Sequence, residues 1–273
     1  MSSHIRQNRR AWDERALRSA WHTEPATDKD FQNPLAAVDD CGWLEGNVRG
    51  QRVLCLAAGG GRHGPLLAAA GAEVTVVDLS PAMLELDRRV AASRGLVLKT
   101  VETSMEDLSM LPAGGFDAVI QPVSTCYVPD IIEVYRQVAR VSAANALYIS
   151  QHKQPASSQA GTLPSSRGGY CITETYYRSD PLPEAMEGLP HREAGTVEFL
   201  HRWSELIGGL CRSGFVIEDL VEPNHANTSA EAGTFGHRCR YLPPFVTIKA
   251  RRRADSEMNE PARLWTPGGG GDQ

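Results

Sequence analysis

The chain has 273 residues, 41% of them hydrophobic, with 33 acidic side chains against 28 Lys and Arg and a formal net charge of −5. That is enough for a sizeable core, and it excludes the basic footprint of a nucleic-acid binder. No apolar run is long enough to cross a bilayer, the N-terminus lacks the apolar stretch of a secretory leader, and the six cysteines contain no CxxC pair, so a cytoplasmic protein with reduced thiols and no membrane or nucleic-acid partner is expected.

A polar N-terminal helix carrying Trp12 and Trp21 and a looser helical segment around residues 35–44 form an expected helical cap over 1–46, covering one end of a sheet or closing over a ligand. A domain over 47–251 follows. Residues 52–56 (RVLCL) read as a buried strand ending in glycines, with a helix over 65–70 that tolerates Pro65 in its first turn and stops at Gly71. Residues 73–78 (EVTVVD) are a second strand; Ser80 caps the next helix, with Pro81 at its first position and Gly95 at its end. A third strand is expected at 96–101 and a fourth at 116–121 (FDAVIQ). Ile131, Val134, Tyr135, Val138 and Val141 mark one face of the helix that leads to a fifth strand at 145–151. Such alternation is the mark of crossover units on a mostly parallel sheet.

Residues 153–198 break into Ser, Gly, Pro and Tyr, too long for an ordinary connection, and read as a substrate-side insert. Tyr170, Tyr176, Tyr177, His191 and, on the next helix, His201 offer either an aromatic cover over a ligand or a small satellite core. Phe199, Trp203, Leu206, Ile207 and Leu210 share one helical face; strands at 215–221 and 245–249 follow, expected as antiparallel neighbours because no helical segment separates them. Arg251, Arg252 and Arg253 read as a solvated strand end before a flexible tail at 252–273. Glu198 and His201, three apart on that expected helix, are not by themselves a metal set, and no metal is expected.

The strongest local signal is LAAGGGRHG at 56–64, between a strand and a helix, where glycines let backbone approach a ligand and the helix start favours polar or anionic groups. Gly59, Gly61 and Gly64 spell GxGxxG, and Asp78 at the end of the second strand can accept both hydroxyls of a ribose, since Ser80 already supplies the cap. These features suit an NAD(P)-dependent oxidoreductase and a nucleoside-sulfonium methyltransferase alike.

Residues 53–91, from VLCLAAGGGRHG through VVDLSPAML, resemble the first motifs of class I S-adenosylmethionine-dependent methyltransferases, and SMEDLSML followed by FDAVI resembles that family's third and fourth strand ends. The resemblance covers residues 51–151 clearly and the last third more loosely. It implies a doubly wound α/β fold, with a mostly parallel seven-stranded sheet and an antiparallel last strand, that binds S-adenosylmethionine and releases S-adenosylhomocysteine. It places Ala57, Gly59 and Gly61 on the methionine and ribose side, Asp78 on the ribose hydroxyls, Leu79 on the adenine face, Ser104 and Met105 at the adenine edge, and Gln121 with Val123 by the sulfonium. The sequence departs from the family's wording where Cys55 replaces the acid of the first strand and Ala57 the first glycine.

Methyl transfer from a sulfonium is an in-line displacement that asks for alignment and dryness more than for a catalytic side chain. Should the acceptor, expected to be a small molecule, need a base, His152 just beyond the fifth strand is the candidate, with Tyr127 shaping the transfer region or packing. A non-catalytic protein that binds S-adenosylmethionine or S-adenosylhomocysteine also remains open.

Overall fold

Strands β1 (Arg52–Leu56), β2 (Glu73–Asp78), β3 (Lys99–Glu102), β4 (Phe116–Gln121), β5 (Ser142–Lys153), β6 (Phe215–Val221) and β7 (Phe245–Arg252) form one sheet in the order β3-β2-β1-β4-β5-β7-β6. The computed structural model describes residues 2–20, 22–185 and 192–254; Trp21, His191 and tail residues 255–273, to which expectations were attached above, lie outside them. The pairs β3-β2, β2-β1, β1-β4 and β4-β5 are parallel, whereas β7 runs antiparallel to both β5 and β6. The chain thus builds the doubly wound, mostly parallel seven-stranded sheet with an antiparallel last strand.

The strand period of two explains why both faces are covered. On β1, Leu54 and Leu56 belong to one apolar cluster and Val53 and Cys55 to the other; on β4, Val119 faces one way and Ala118 and Ile120 the other. Such runs are apolar throughout because neither face meets water. Helices α2 (His63–Ala69) and α3 (Pro81–Ser93) contribute Leu67 and Leu84 to one cluster, and α4 (Ile131–Val141) and α6 (Trp203–Arg212) contribute Tyr135, Leu206 and Leu210 to the other. Helix α3 begins as its sequence requires: Ser80 Oγ accepts the Met83 amide at 3.1 Å, with Pro81 in the first turn. Two short helices, α5 (Pro155–Gln159) and α7 (Phe235–Arg238), complete the set with α1 (Ser3–Leu17).

Several expectations are corrected. Residues 35–44 are turns, not helix: the Asp39 carboxylate takes the amides of Trp43 and Leu44, each at 2.8 Å, and so satisfies that backbone locally. Strand β3 starts at Lys99, opposite Thr75 of β2, so residues 96–98 precede it rather than belong to it. Helix α6 starts at Trp203, so Phe199, Glu198 and His201 lie on the segment before it; Glu198 pairs with Lys153, and His201 Nε2 hydrogen-bonds with the Thr125 carbonyl at 2.9 Å. Helix α7 does intervene between β6 and β7, so the antiparallel pairing holds although the ground expected for it, the absence of any helix between them, does not. Arg252 belongs to β7 and donates from Nε to the Ala139 carbonyl at 3.1 Å, while Arg251 pairs with Glu218, so the arginine cluster stitches the sheet edge.

Close contact between α2 and the sheet depends on Gly64, where a Cβ would lie 2.5 Å from Val76 Cγ2. Val76 is buried and its branched side chain has little freedom to move aside. Gly64→Ala should therefore cost about 1–2 kcal/mol in chemical denaturation, even though Ala gains about 1 kcal/mol over Gly in a helix; an unchanged or raised midpoint would contradict this packing.

Candidate active site

A cavity of about 480 Å³ opens where β1, β2 and β4 end, the place where ligands sit in open α/β sheets. After β1 the chain turns sharply, with Ala57 at φ 48°, Gly60 at 119° and Gly61 at 76°. Ala57 is held in the left-handed region that disfavours a Cβ. The hydrogen bonds that hold the turn come from the neighbouring elements: Gly59 N donates to Asp78 Oδ2 at 2.9 Å, and Gly60 N donates to Asp87 Oδ2 at 2.9 Å and to the Met83 carbonyl at 3.1 Å. Only glycine fits at 59, since a Cβ would stand 2.8 Å from Met83 Cβ and 2.9 Å from Asp78 Oδ2.

Asp78 also accepts the Ser80 amide at 2.9 Å through Oδ1. Burial pushes its carboxyl up to about 6, against the pull of the Ser80, Gly59 and Leu79 amides. A cationic or hydroxyl-bearing ligand that supplied further donors would favour the charged form.

Beyond Asp78 the wall passes through Leu79, Met83, Thr103, Ser104, Met105 and Glu106, then through Pro122, Val123, Ser124 and Tyr127 after β4. Helix α1 makes the roof with His4, Ile5, Asn8 and Trp12, and His22 and Glu193 close the far end. Asn8 is the pin: buried, it donates from Nδ2 to the carbonyls of Tyr127 and Val197, each at 3.1 Å, and accepts the Val197 amide at 2.6 Å. Asp13 ties the same helix to the start of α3 by accepting Ser80 Oγ at 2.6 Å, and Arg9 pairs with Glu102 at 2.7 Å.

The far end is organised by charge. Lys153 Nζ lies 3.0 Å from both Glu193 Oε2 and Glu198 Oε2, and Arg192 Nε lies 3.2 Å from Glu198. Burial alone would raise the Glu193 carboxyl, but Lys153 and the Tyr127 hydroxyl, which donates to it at 2.8 Å, hold it down at about 2. His22 stands with Nε2 3.9 Å from Glu193 Oε1, its backbone in the left-handed region at φ 71°; burial, outweighing the Glu193 charge, lowers its pKa.

Of the residues singled out from the sequence, Ala57, Gly59, Asp78, Leu79, Ser104, Met105, Val123 and Tyr127 line this cavity. Gly61 is not among its lining residues and gives its carbonyl to the Ala26 amide at 3.0 Å. Gln121 stands behind the wall, fully buried, donating from Nε2 to Met105 Sδ at 3.3 Å and to Ser124 Oγ at 3.0 Å. His152 is corrected outright as a base. One step along a strand changes the face, so Gln151 lines the cavity while His152 is buried on the other side, hydrogen-bonded through Nδ1 to Thr125 Oγ1 at 2.8 Å and through Nε2 to Ser150 Oγ at 2.9 Å. Burial and His201 lower its pKa to about 3. Tyr127 is a wall, since burial and Glu193 raise its phenol well above the usual value. Tyr170 stacks with His237 and Tyr241 as a satellite core, and Tyr176 and Tyr177 pack on each other, none of them at the cavity. Trp12, on the N-terminal helix expected as a possible cover, also lines the cavity, whereas Asn8, His22 and Glu193 went unnoticed because no local spacing marks them, and Asp87 was passed over. Its signal was available: an acid two turns into α3, on the face that the apolar Met83, Leu84 and Ala91 bury.

Among the described residues no cluster of three or more metal-ligating side chains gathers, and no helix is long and apolar enough to cross a membrane. A family model described as a methyltransferase domain matches residues 54–149. The chain is 35% identical over 179 residues, 64% of its own length and 69% of the other's, to the uncharacterized methyltransferase YbaJ of Bacillus subtilis (strain 168). In fold it is similar to a putative S-adenosylmethionine-dependent methyltransferase from Listeria monocytogenes, with a TM-score of 0.62 at 18% identity over 76% of this chain and 93% of that one. A Mesorhizobium loti S-adenosylmethionine-dependent methyltransferase superimposes with a TM-score of 0.60 at 24% identity, over the same two shares. The oxidoreductase and non-catalytic alternatives fall away: the chain belongs to the class I S-adenosylmethionine-dependent methyltransferase family, an enzyme whose cofactor is S-adenosylmethionine.

Proposed function

We propose that the enzyme methylates a small-molecule acceptor held beneath α1, between Tyr127, His22 and Glu193, by in-line displacement. The observation that carries this reading is the pinned roof: Asn8 bonds to both Tyr127 and Val197, so the cavity is covered by α1 as well as walled by the strand ends, an enclosure of the kind that takes small molecules. Its mixture of Trp12, Tyr127 and Phe245 with a few fixed polar groups supports an acceptor with an apolar body and a polar reacting atom.

The near half fits the cofactor by its donors and shape. Gly59, which tolerates no Cβ, lets backbone approach the methionine moiety, as Ala57 beside it does; the Asp78 carboxylate would accept the ribose hydroxyls; Leu79, Ser104 and Met105 would border the adenine. Bound S-adenosylmethionine supplies an electrophilic methyl group on a sulfonium. The chain's own residues align the acceptor and exclude water. Where the acceptor reacts through a hydroxyl or a protonated amine, His22 is the group placed to take the proton: its side chain, 45% exposed, borders the cavity, and Glu193 stands 3.9 Å away to stabilise the imidazolium.

Three outcomes are expected. Incubation of the enzyme and tritiated S-adenosylmethionine with a cell extract should place label in the low-molecular-weight fraction; label confined to protein or RNA would overturn the small-molecule reading. Asp78→Asn should weaken S-adenosylhomocysteine binding about tenfold or more in calorimetry, the scale of a lost charge-assisted hydrogen bond; equal affinity would remove Asp78 from the ribose. Asn8→Ala should cost about 1–3 kcal/mol of stability and speed S-adenosylhomocysteine release in stopped flow, whereas an unchanged release rate would mean that α1 does not guard the cavity.

A further inference from the structure

Asp87, at the end of the second turn of α3, is fully buried, yet it is not among the residues lining the cavity. A buried carboxyl is costly, and an apolar side chain would serve the packing of α3 better. What it touches is the cofactor turn: Oδ2 accepts the Gly60 amide at 2.9 Å, the Gly61 amide also favours its charged form, and Oδ1 has no hydrogen-bond partner among the described residues. Oδ1 faces Gly64, where a Cβ would come within 3.1 Å of it, so the turn and the start of α2 are shaped around this carboxyl. On the β1 side stands Cys55, fully buried, its thiol raised by burial and by the charge of Asp87. The turn is therefore held by two acids, Asp78 from β2 at Gly59 and Asp87 from the helix at Gly60, and none comes from β1.

We propose that Asp87 is the positioning carboxylate of the cofactor site, fixing the glycine turn through the Gly60 and Gly61 amides when ionised and loosening it when protonated. The inference rests on residues 57–62 being the cofactor cradle. Several groups face Asp87: Asp78 from β2, whose charge opposes its ionisation; Arg88 beside it on α3, which favours it; and Cys55 from β1. His63 at the start of α2 is neutral at physiological pH, burial and Arg62 lowering it to about 4. Burial raises Asp87 to about 7 against the two amides, so the cradle is firm above that value and slackens below it, with Asp78, raised to about 6, adding a second loss further into acid. For the ligand-free fold the sign is opposite. Both carboxyls hold protons that the unfolded chain releases near about 3.9, so stability falls as pH rises from there through about 7.

The test is calorimetric titration of the full chain with S-adenosylhomocysteine at about pH 6 and about pH 8, for the unaltered protein and Asp87→Asn, each with its melting temperature. Asp87→Asn should bind about tenfold more weakly than the unaltered protein at the higher pH, with a gap that narrows at the lower pH and a melting temperature equal or higher. A folded Asp87→Asn with equal affinity at both values would overturn the inference and leave Asp87 as packing. Failure of the unaltered protein to bind would instead strike the cradle reading itself. Should Asp87→Asn not fold, amide nitrogen shifts of Gly60 and Gly61 in the unaltered protein decide: a shared inflection near neutrality supports the inference, and flat shifts across the range refute it.

Discussion

The Asp78 carboxylate is the joint on which the site depends. One oxygen receives the Gly59 amide and the other the Ser80 amide, so a single side chain at the end of β2 sets both the turn after β1 and the entry into α3. Because α3 also carries Met83 and Asp87 onto that turn, any shift of Asp78 is felt along the whole near wall. The joint costs free energy in the empty protein, where burial opposes its charge. Ligand donors would repay that cost, as is usual where a binding group is kept partly desolvated and ready.

The second organising constraint is electrostatic and lies at the opposite end. Lys153 leaves the end of β5 as a buried cation and needs anions; Glu193 and Glu198, from the far side of the insert, supply them. Such a cluster adds little net stability over a well-packed apolar one, but it specifies one arrangement, because removing a partner leaves a buried charge. Here it fixes the segment after the insert against the sheet and aims Glu193 at Tyr127 and His22.

The fold and the near half of the site were legible in the sequence for a common reason: each rests on short-range chemistry. Short, nearly continuous apolar runs pointed to β1, β2 and β4, Ser80 and Pro81 to the start of α3, and glycines followed by Asp78 to the turn that lines the cavity. The far half was not legible, because Asn8, His22 and Glu193 carry no shared spacing and meet only through tertiary contact. His152 shows how fine the margin is: it was expected just beyond a strand ending at residue 151, but β5 runs on to Lys153, and within a strand neighbouring residues face opposite ways, so Gln151 meets the cavity and His152 does not. Glu198 and His201 failed differently, since a plausible helical spacing was read into an extended segment.

The two halves of the cavity also differ in how they can change over generations. The near wall comes from consecutive strand ends between residues 57 and 106, locked to one another through backbone amides, where a substitution at the turn disturbs several bonds together. The far side is assembled from α1, the loop at His22 and the segment at Glu193, which approach the sheet from outside and meet it at a handful of side-chain contacts. Lineages that share this sheet are free to exchange that outer shell for another, and so to inherit one methyl donor while diverging in what they modify.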